Sequence, residues 1–112
     1  MAERTRPRPE DGDATVLEPE RTTRLERPRM YRVLIHNDDY TTHEFVVAIL
    51  KTVFHKSDTD AWTLTLQVHN HGVGVAGVYT REVAETKIAT VHRLAREQEF
   101  PLLLTMEPDD RS

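Results

Sequence analysis

The chain has no cysteine among its 112 residues. That excludes a disulfide framework and a thiolate zinc site, and it fits a reducing, cytoplasmic compartment. No apolar run approaches the roughly 20 residues that a membrane span needs. The N-terminus has no apolar h-region, so no secretory signal is expected. Its arginines are matched by acids, which argues against an organelle transit peptide. Positive charge is not in excess: 15 Lys and Arg stand against 19 Asp and Glu, a formal net charge of −4. Bulk electrostatics gives no reason to expect a nucleic-acid partner. Glycine is scarce at four residues. There is no Gly-rich phosphate loop, no G-x-S-x-G and no H-E-x-x-H. No nucleophile is supplied beside the paired carboxylates Asp38 and Asp39, so no enzymatic role is expected.

What is present is unevenly distributed. Residues 1–29 hold four of the six prolines, seven arginines, seven acids and no aromatic residue. So little apolar surface cannot offset the entropy of ordering the segment, and it reads as a disordered extension. The remainder, 30–107, can bury the thin core of one small domain, followed by a polar tail at 108–112. Met30 to Asn37 reads as a strand centred on Val33, Leu34 and Ile35. Thr41 and Glu44 have capping-box spacing, with Thr42 the competing N-cap, ahead of a helical apolar stripe that runs to about Lys56. Ser57 and Asp60 form a second helix-start signal. The residues that follow are ambiguous. Trp62, Leu64, Leu66 and Val68 alternate with polar residues as in a strand, and this pattern is slightly favoured. Ala61, Leu64, Thr65 and Val68 equally share one helical face. Val73 to Tyr79 is a β-branched run whose Gly74, Ala76 and Gly77 point to a closely packed helix. A long helix is expected from Arg81 to Glu99, with Val83, Ala84, Ile88, Val91, Leu94 and Ala95 buried, and a last strand from Leu102 to Met106. The class is α+β.

The densest chemistry lies in Asn37-Asp38-Asp39-Tyr40-Thr41, between the first strand and the first helix. From the residues alone, two readings stand. The turn is solvated and pre-caps the helix, or it is an acceptor cluster for a cation such as an ammonium, which has three donors and no acceptor. Six histidines also raise a metal site. His69 and His71 are spaced for a strand, and His36 or His43 could add a third ligand. Nothing in the sequence makes them converge, and no metal or cofactor is expected.

Taken together, Met30-Tyr31-x-Val-x-Ile-x-Asn37-Asp38-Asp39-Tyr40-Thr41-x-x-Glu44-Phe45-Val46, Val68-His69-x-x-Gly72, Gly77-Val78-Tyr79-Thr80-x-Glu82-Val83-Ala84-Glu85-Thr86-Lys87 and Pro101-Leu102-Leu103 resemble the ClpS adaptor family. The resemblance spans about Met30 to Glu107. It implies a β-α-α-β-α-β domain, three antiparallel strands packed by about three helices, with the ambiguous segment Trp62 to His71 helical. It implies an adaptor that binds N-degron proteins, those with a free α-amino group and an N-terminal Leu, Phe, Tyr or Trp, and delivers them to the ClpA unfoldase of the ClpAP protease. The positions matching Asn37, Asp38, Asp39 and His69 surround the ammonium. Those matching Ile35, Thr41, His43, Val46, Thr65, Val68 and Leu102 form the first-side-chain pocket. Those matching Glu82 and Lys87 touch the N-terminal domain of the unfoldase, and the flexible extension is engaged by it during hand-over. A monomer is expected.

The chain departs from the family in three places. His43 stands where many members carry a gating Met, Thr42 where Pro is usual, and Thr65 where Met is frequent. A more polar pocket mouth and an altered ranking of first residues follow as expectations. The alternative reading is a small α+β module of another complex, with the NDD turn purely structural.

Overall fold

The computed structural model describes residues 27–110. Its elements are β1 (Met30–His36), α1 (His43–Thr52), α2 (Asp58–His71), β2 (Val73–Thr80), α3 (Arg81–Glu97) and β3 (Leu103–Pro108). The expected disordered extension lies outside the described residues, apart from 27–29. The three strands form one antiparallel sheet in the order β2-β1-β3. A bulge between Val33 and Leu34 makes Val33 face Gly77 while Leu34 faces Val75.

β1 is the central strand, and its Val33 and Ile35 are fully buried. Burial of a side chain of this size contributes about 1.5–3 kcal/mol. They meet Val46, Ile49 and Leu50 of α1, Val68 of α2, Ala84, Val91 and Ala95 of α3, and Leu104 of β3 in one core. α3 packs against all three strands, and α2 against α1 and β2.

α2 is the helix that the family likeness implied, against the strand-like alternation. Ser57 caps it by accepting from the Asp60 N–H at 3.1 Å, and Gly72 stops it at φ 91°. In helical phase Ala61, Thr65 and Val68 are buried. Trp62 and Leu66 then fall on the outer face, 38% and 48% exposed, and it was these two that made the segment look like a strand.

Other expectations need correction. Thr42, not Thr41, is the N-cap of α1: its side chain accepts from the Phe45 N–H, because the Thr41 hydroxyl is bound elsewhere. α1 ends at Thr52, short of Lys56, and α3 at Glu97, short of Glu99, which takes a left-handed φ of 62°. Val83 is 44% exposed at the edge of the α3 stripe rather than in it. β3 starts after Leu102 and takes in Pro108. Asp109 behind it is buried, and its N–H donates to the Met30 carbonyl at 2.9 Å, so ordered chain continues past Glu107.

The small residues of β2 have two different reasons. A Cβ at Gly74 would lie 2.8 Å from Val68 and 3.0 Å from Leu64, so α2 sits directly on this strand. A Cβ at Gly77 would strike the ring of Tyr79 two residues on, so this glycine makes room for an aromatic side chain and not for a helix. On α3, His92 Nε2 accepts from the Leu104 N–H at 3.0 Å. That bond needs a neutral ring, and burial together with the nearby Arg96 charge holds the His92 pKa below its usual value.

Candidate functional site

The site grows out of the break between β1 and α1. Asp38 organises it. Its Oδ1 accepts from the backbone N–H groups of Tyr40 and Thr41 at 2.8 and 2.7 Å, and its Oδ2 accepts from the Thr41 hydroxyl at 2.8 Å. An aspartate that bonds to the backbone two and three residues on imposes a tight turn. Three of the roughly four acceptor sites of a carboxylate are thereby used inside the loop. Asp38 therefore shapes the turn, while Asn37 and Asp39 remain exposed on either side of it.

A second bond ties this turn to a distant part of the chain. The Asn37 N–H donates to the Gly72 carbonyl at 2.9 Å, which fixes the turn to the C-terminal end of α2. One helical turn before Gly72 lies His69. Its ring meets that of His43, the first residue of α1, edge to face with centroids 4.9 Å apart. His71 is turned away from His69 and bonds the Gln67 carbonyl. On a helix, residues two apart point to nearly opposite sides, so the His69–His71 spacing does not build a ligand pair. Among the described residues no cluster of three or more His, Cys, Asp or Glu is placed to hold a metal ion.

Beneath the turn opens a shallow cavity; the empty space in and in front of it, open solvent included, is about 260 Å³. Ile35 of β1, Val46 of α1, Val68 of α2 and Leu102 give it apolar walls, and all four are buried. Thr65 of α2 is also in the wall. Thr41 and His43 line it beside Asn37 and Asp38, so the acceptor-rich turn and the apolar hole share one opening. Asp39 and His69 do not line the cavity; both are exposed. His36 does line it and was missed from the sequence. As the neighbour of Ile35 on a strand it belongs by alternation to the opposite face, where its Nε2 lies 2.8 Å from the Thr105 hydroxyl. Only its place at the end of β1, against the turn, could have flagged it.

Glu82 and Lys87 lie on α3, away from the cavity. Glu82 is exposed and lines a separate open cleft with Arg29 and Tyr31. Lys87 is half-buried and committed inside the fold. Its Nζ donates to the Val53 carbonyl at 2.7 Å, capping α1, and stands 5.2 Å from the Tyr79 ring centre and 5.8 Å from that of Phe54.

Comparison with known proteins agrees with this architecture. The family model described as "ATP-dependent Clp protease adaptor protein ClpS" matches residues 26–105. The ATP-dependent Clp protease adapter protein ClpS of Myxococcus xanthus is 62% identical over 87 residues, covering 78% of this chain and 81% of its own length. That of Desulfatibacillum aliphaticivorans is 59% identical over 100 residues, 89% of this chain and 94% of its own. Among solved structures, Agrobacterium tumefaciens ClpS2 bound to L-phenylalaninamide superposes with a TM-score of 0.71 at 41% identity, covering 74% of this chain and all of that one. With the family model matching most of the chain and these identities sustained over nearly the whole length of the relatives, this protein belongs to the ClpS family of adaptors of the ATP-dependent Clp protease.

Proposed function

We propose that the protein binds N-degron substrates in the cavity beneath the Asn37-Asp38-Asp39 turn and delivers them, in the cytoplasm, to a ClpA-type unfoldase. The observation that carries this is the shared opening of an acceptor-rich turn and an apolar hole. The likeness to Agrobacterium tumefaciens ClpS2 bound to L-phenylalaninamide supports it, since that ligand combines a free α-amino group with an apolar side chain. An α-amino group has a pKa of about 7.7–8.0 and is largely charged at neutral pH. Asn37 and Asp39 are its acceptors in this reading, Asp38 holds them in place, and His69 completes the set from α2. Each hydrogen bond to a charged group contributes about 1.5–3 kcal/mol. The apolar walls add on the order of 1.5–3 kcal/mol for a Leu or Phe side chain. An internal peptide N–H is neutral and has one donor, so the conjunction reads a chain end.

Binding of a Leu- or Phe-initiated peptide against its Nα-acetylated form tests the reading. A loss of at least tenfold on acetylation is expected. Equal affinity would instead favour the module of another complex with a purely structural turn. Delivery is proposed to use the α3 surface around Glu82, with Lys87 contributing what its internal bonds leave free, and with the extension 1–29 engaged by the unfoldase.

His43 is proposed as the gate of the pocket. Its imidazole is more polar than the Met found in many relatives, and its ring rests on His69. His43→Met is expected to change the order in which Leu-, Phe-, Tyr- and Trp-initiated peptides bind, measured by fluorescence titration. Identical rankings in the two proteins would remove His43 from the determinants of specificity.

A further inference from the structure

Resting on the pocket assignment above, we infer that Thr65 makes this site discriminate in favour of a first side chain carrying a hydroxyl at its far end, the phenol of an N-terminal tyrosine. Thr65 is the polar side chain in an otherwise apolar part of the cavity wall, and it is 2% exposed. Its hydroxyl hydrogen is already placed: Oγ1 donates to the Ala61 carbonyl at 2.7 Å, one turn back along α2. The oxygen can therefore act toward a ligand only as an acceptor, with lone pairs that this bond leaves open. Val46, Val68 and Leu102, which share the lining with it, have no side-chain donor to offer.

Such an arrangement is asymmetric toward ligands that differ by one hydroxyl. A Phe side chain entering the cavity brings the Thr65 oxygen no donor. A Tyr side chain of the same shape brings an O–H donor. A buried acceptor left without a donor disfavours the ligand that leaves it so, whereas a purely apolar wall would disfavour the phenol. A site built around such a group can separate Tyr from Phe better than an apolar pocket separates either from an isostere.

Titration of the full chain with L-tyrosinamide and L-phenylalaninamide tests this, in the wild type, in Thr65→Val and in Thr65→Ser. Val keeps the branched shape and removes the oxygen; Ser keeps the oxygen and the bond to Ala61. The wild type is expected to bind tyrosinamide about fivefold or more tightly than phenylalaninamide. Thr65→Val should abolish or reverse that ratio while still binding phenylalaninamide at least as well, and Thr65→Ser should retain it. If both amides bind and the ratio is the same in wild type and Thr65→Val, or if the wild type prefers phenylalaninamide, the role of Thr65 is overturned and the pocket assignment stands. If neither amide binds the wild type, the pocket assignment falls and this inference with it.

Discussion

Asp39→Ala is expected to weaken binding of a Leu-initiated peptide at least tenfold and to leave the fold intact. Both halves of this expectation come from position. Asp39 is exposed on the turn, and among the hydrogen bonds that shape the turn none uses its side chain. Removing the carboxylate should shift the thermal midpoint little, since surface substitutions away from such features usually change stability by about 0.5 kcal/mol or less. The effect on binding is larger because the partner is charged. A hydrogen bond to a charged group contributes about 1.5–3 kcal/mol, and 1.4 kcal/mol is a factor of ten in affinity. Asp39→Asn should also weaken binding, since the amide keeps an acceptor oxygen but loses the charge. The exposed pair is screened, so the wild-type affinity should fall with added salt more steeply than that of Asp39→Asn. Isothermal titration at two ionic strengths separates these cases. An unchanged affinity in Asp39→Ala would remove the ammonium from the account of this turn.

How much of this could be read in the chain depends on which physical effect decided each element. β1 was legible because its buried centre, Val33 and Ile35, is β-branched and lies ahead of an unmistakable polar turn. α2 was not legible from periodicity. Trp62 and Leu66 are apolar but sit outside, and what spoke for a helix was the Ser57 cap and the face shared by Ala61, Leu64, Thr65 and Val68, since Gly72 ends either kind of element. Family likeness supplied what propensity could not. The N-cap of α1 was ambiguous between Thr41 and Thr42, because the deciding fact is the bond from the Thr41 hydroxyl to Asp38, and spacing does not encode it. The same holds for Lys87. The resemblance implies an outward contact with the unfoldase, and nothing in its sequence context shows that its ammonium lies over Tyr79 and on the carbonyl of Val53, 34 positions away.

The cavity shows the same division. The seven side chains expected to share a pocket come from β1, the turn, α1, α2 and the segment before β3, and they line one opening. Without the family pattern nothing local would have joined Ile35 to Leu102. The bond from Asn37 to Gly72 and the antiparallel pairing of Ile35 with Leu104 bring them together, and both are consequences of the completed fold. His36 was missed for the converse reason, since alternation correctly sends a strand neighbour to the other face but says less at a strand's last residue.

Asp38 separates geometry from charge in this turn, and its two substitutions are expected to differ widely. Asp38→Ala removes the acceptor for two backbone N–H groups and for the Thr41 hydroxyl at once. The turn then has no internal reason to keep its shape. Stability should fall by about 1–3 kcal/mol, as measured by urea denaturation. Peptide affinity should fall tenfold or more, because Asn37 and Asp39 are no longer held to one side of the cavity mouth and fixing them again draws on the binding energy. Asp38→Asn is expected to be mild. Its carbonyl oxygen can accept from both N–H groups, and its amide can donate to the Thr41 oxygen, reversing the direction of that bond. Stability should then stay within about 1 kcal/mol of wild type, with affinity reduced only by the missing charge. The pattern is opposite to that at Asp39, where the binding loss comes without a stability loss and the amide does not rescue. If Asp38→Asn proved as damaging as Asp38→Ala to binding while remaining as stable as wild type, the Asp38 carboxylate would be a direct partner of the ammonium through its one free acceptor position, and not chiefly the frame of the turn.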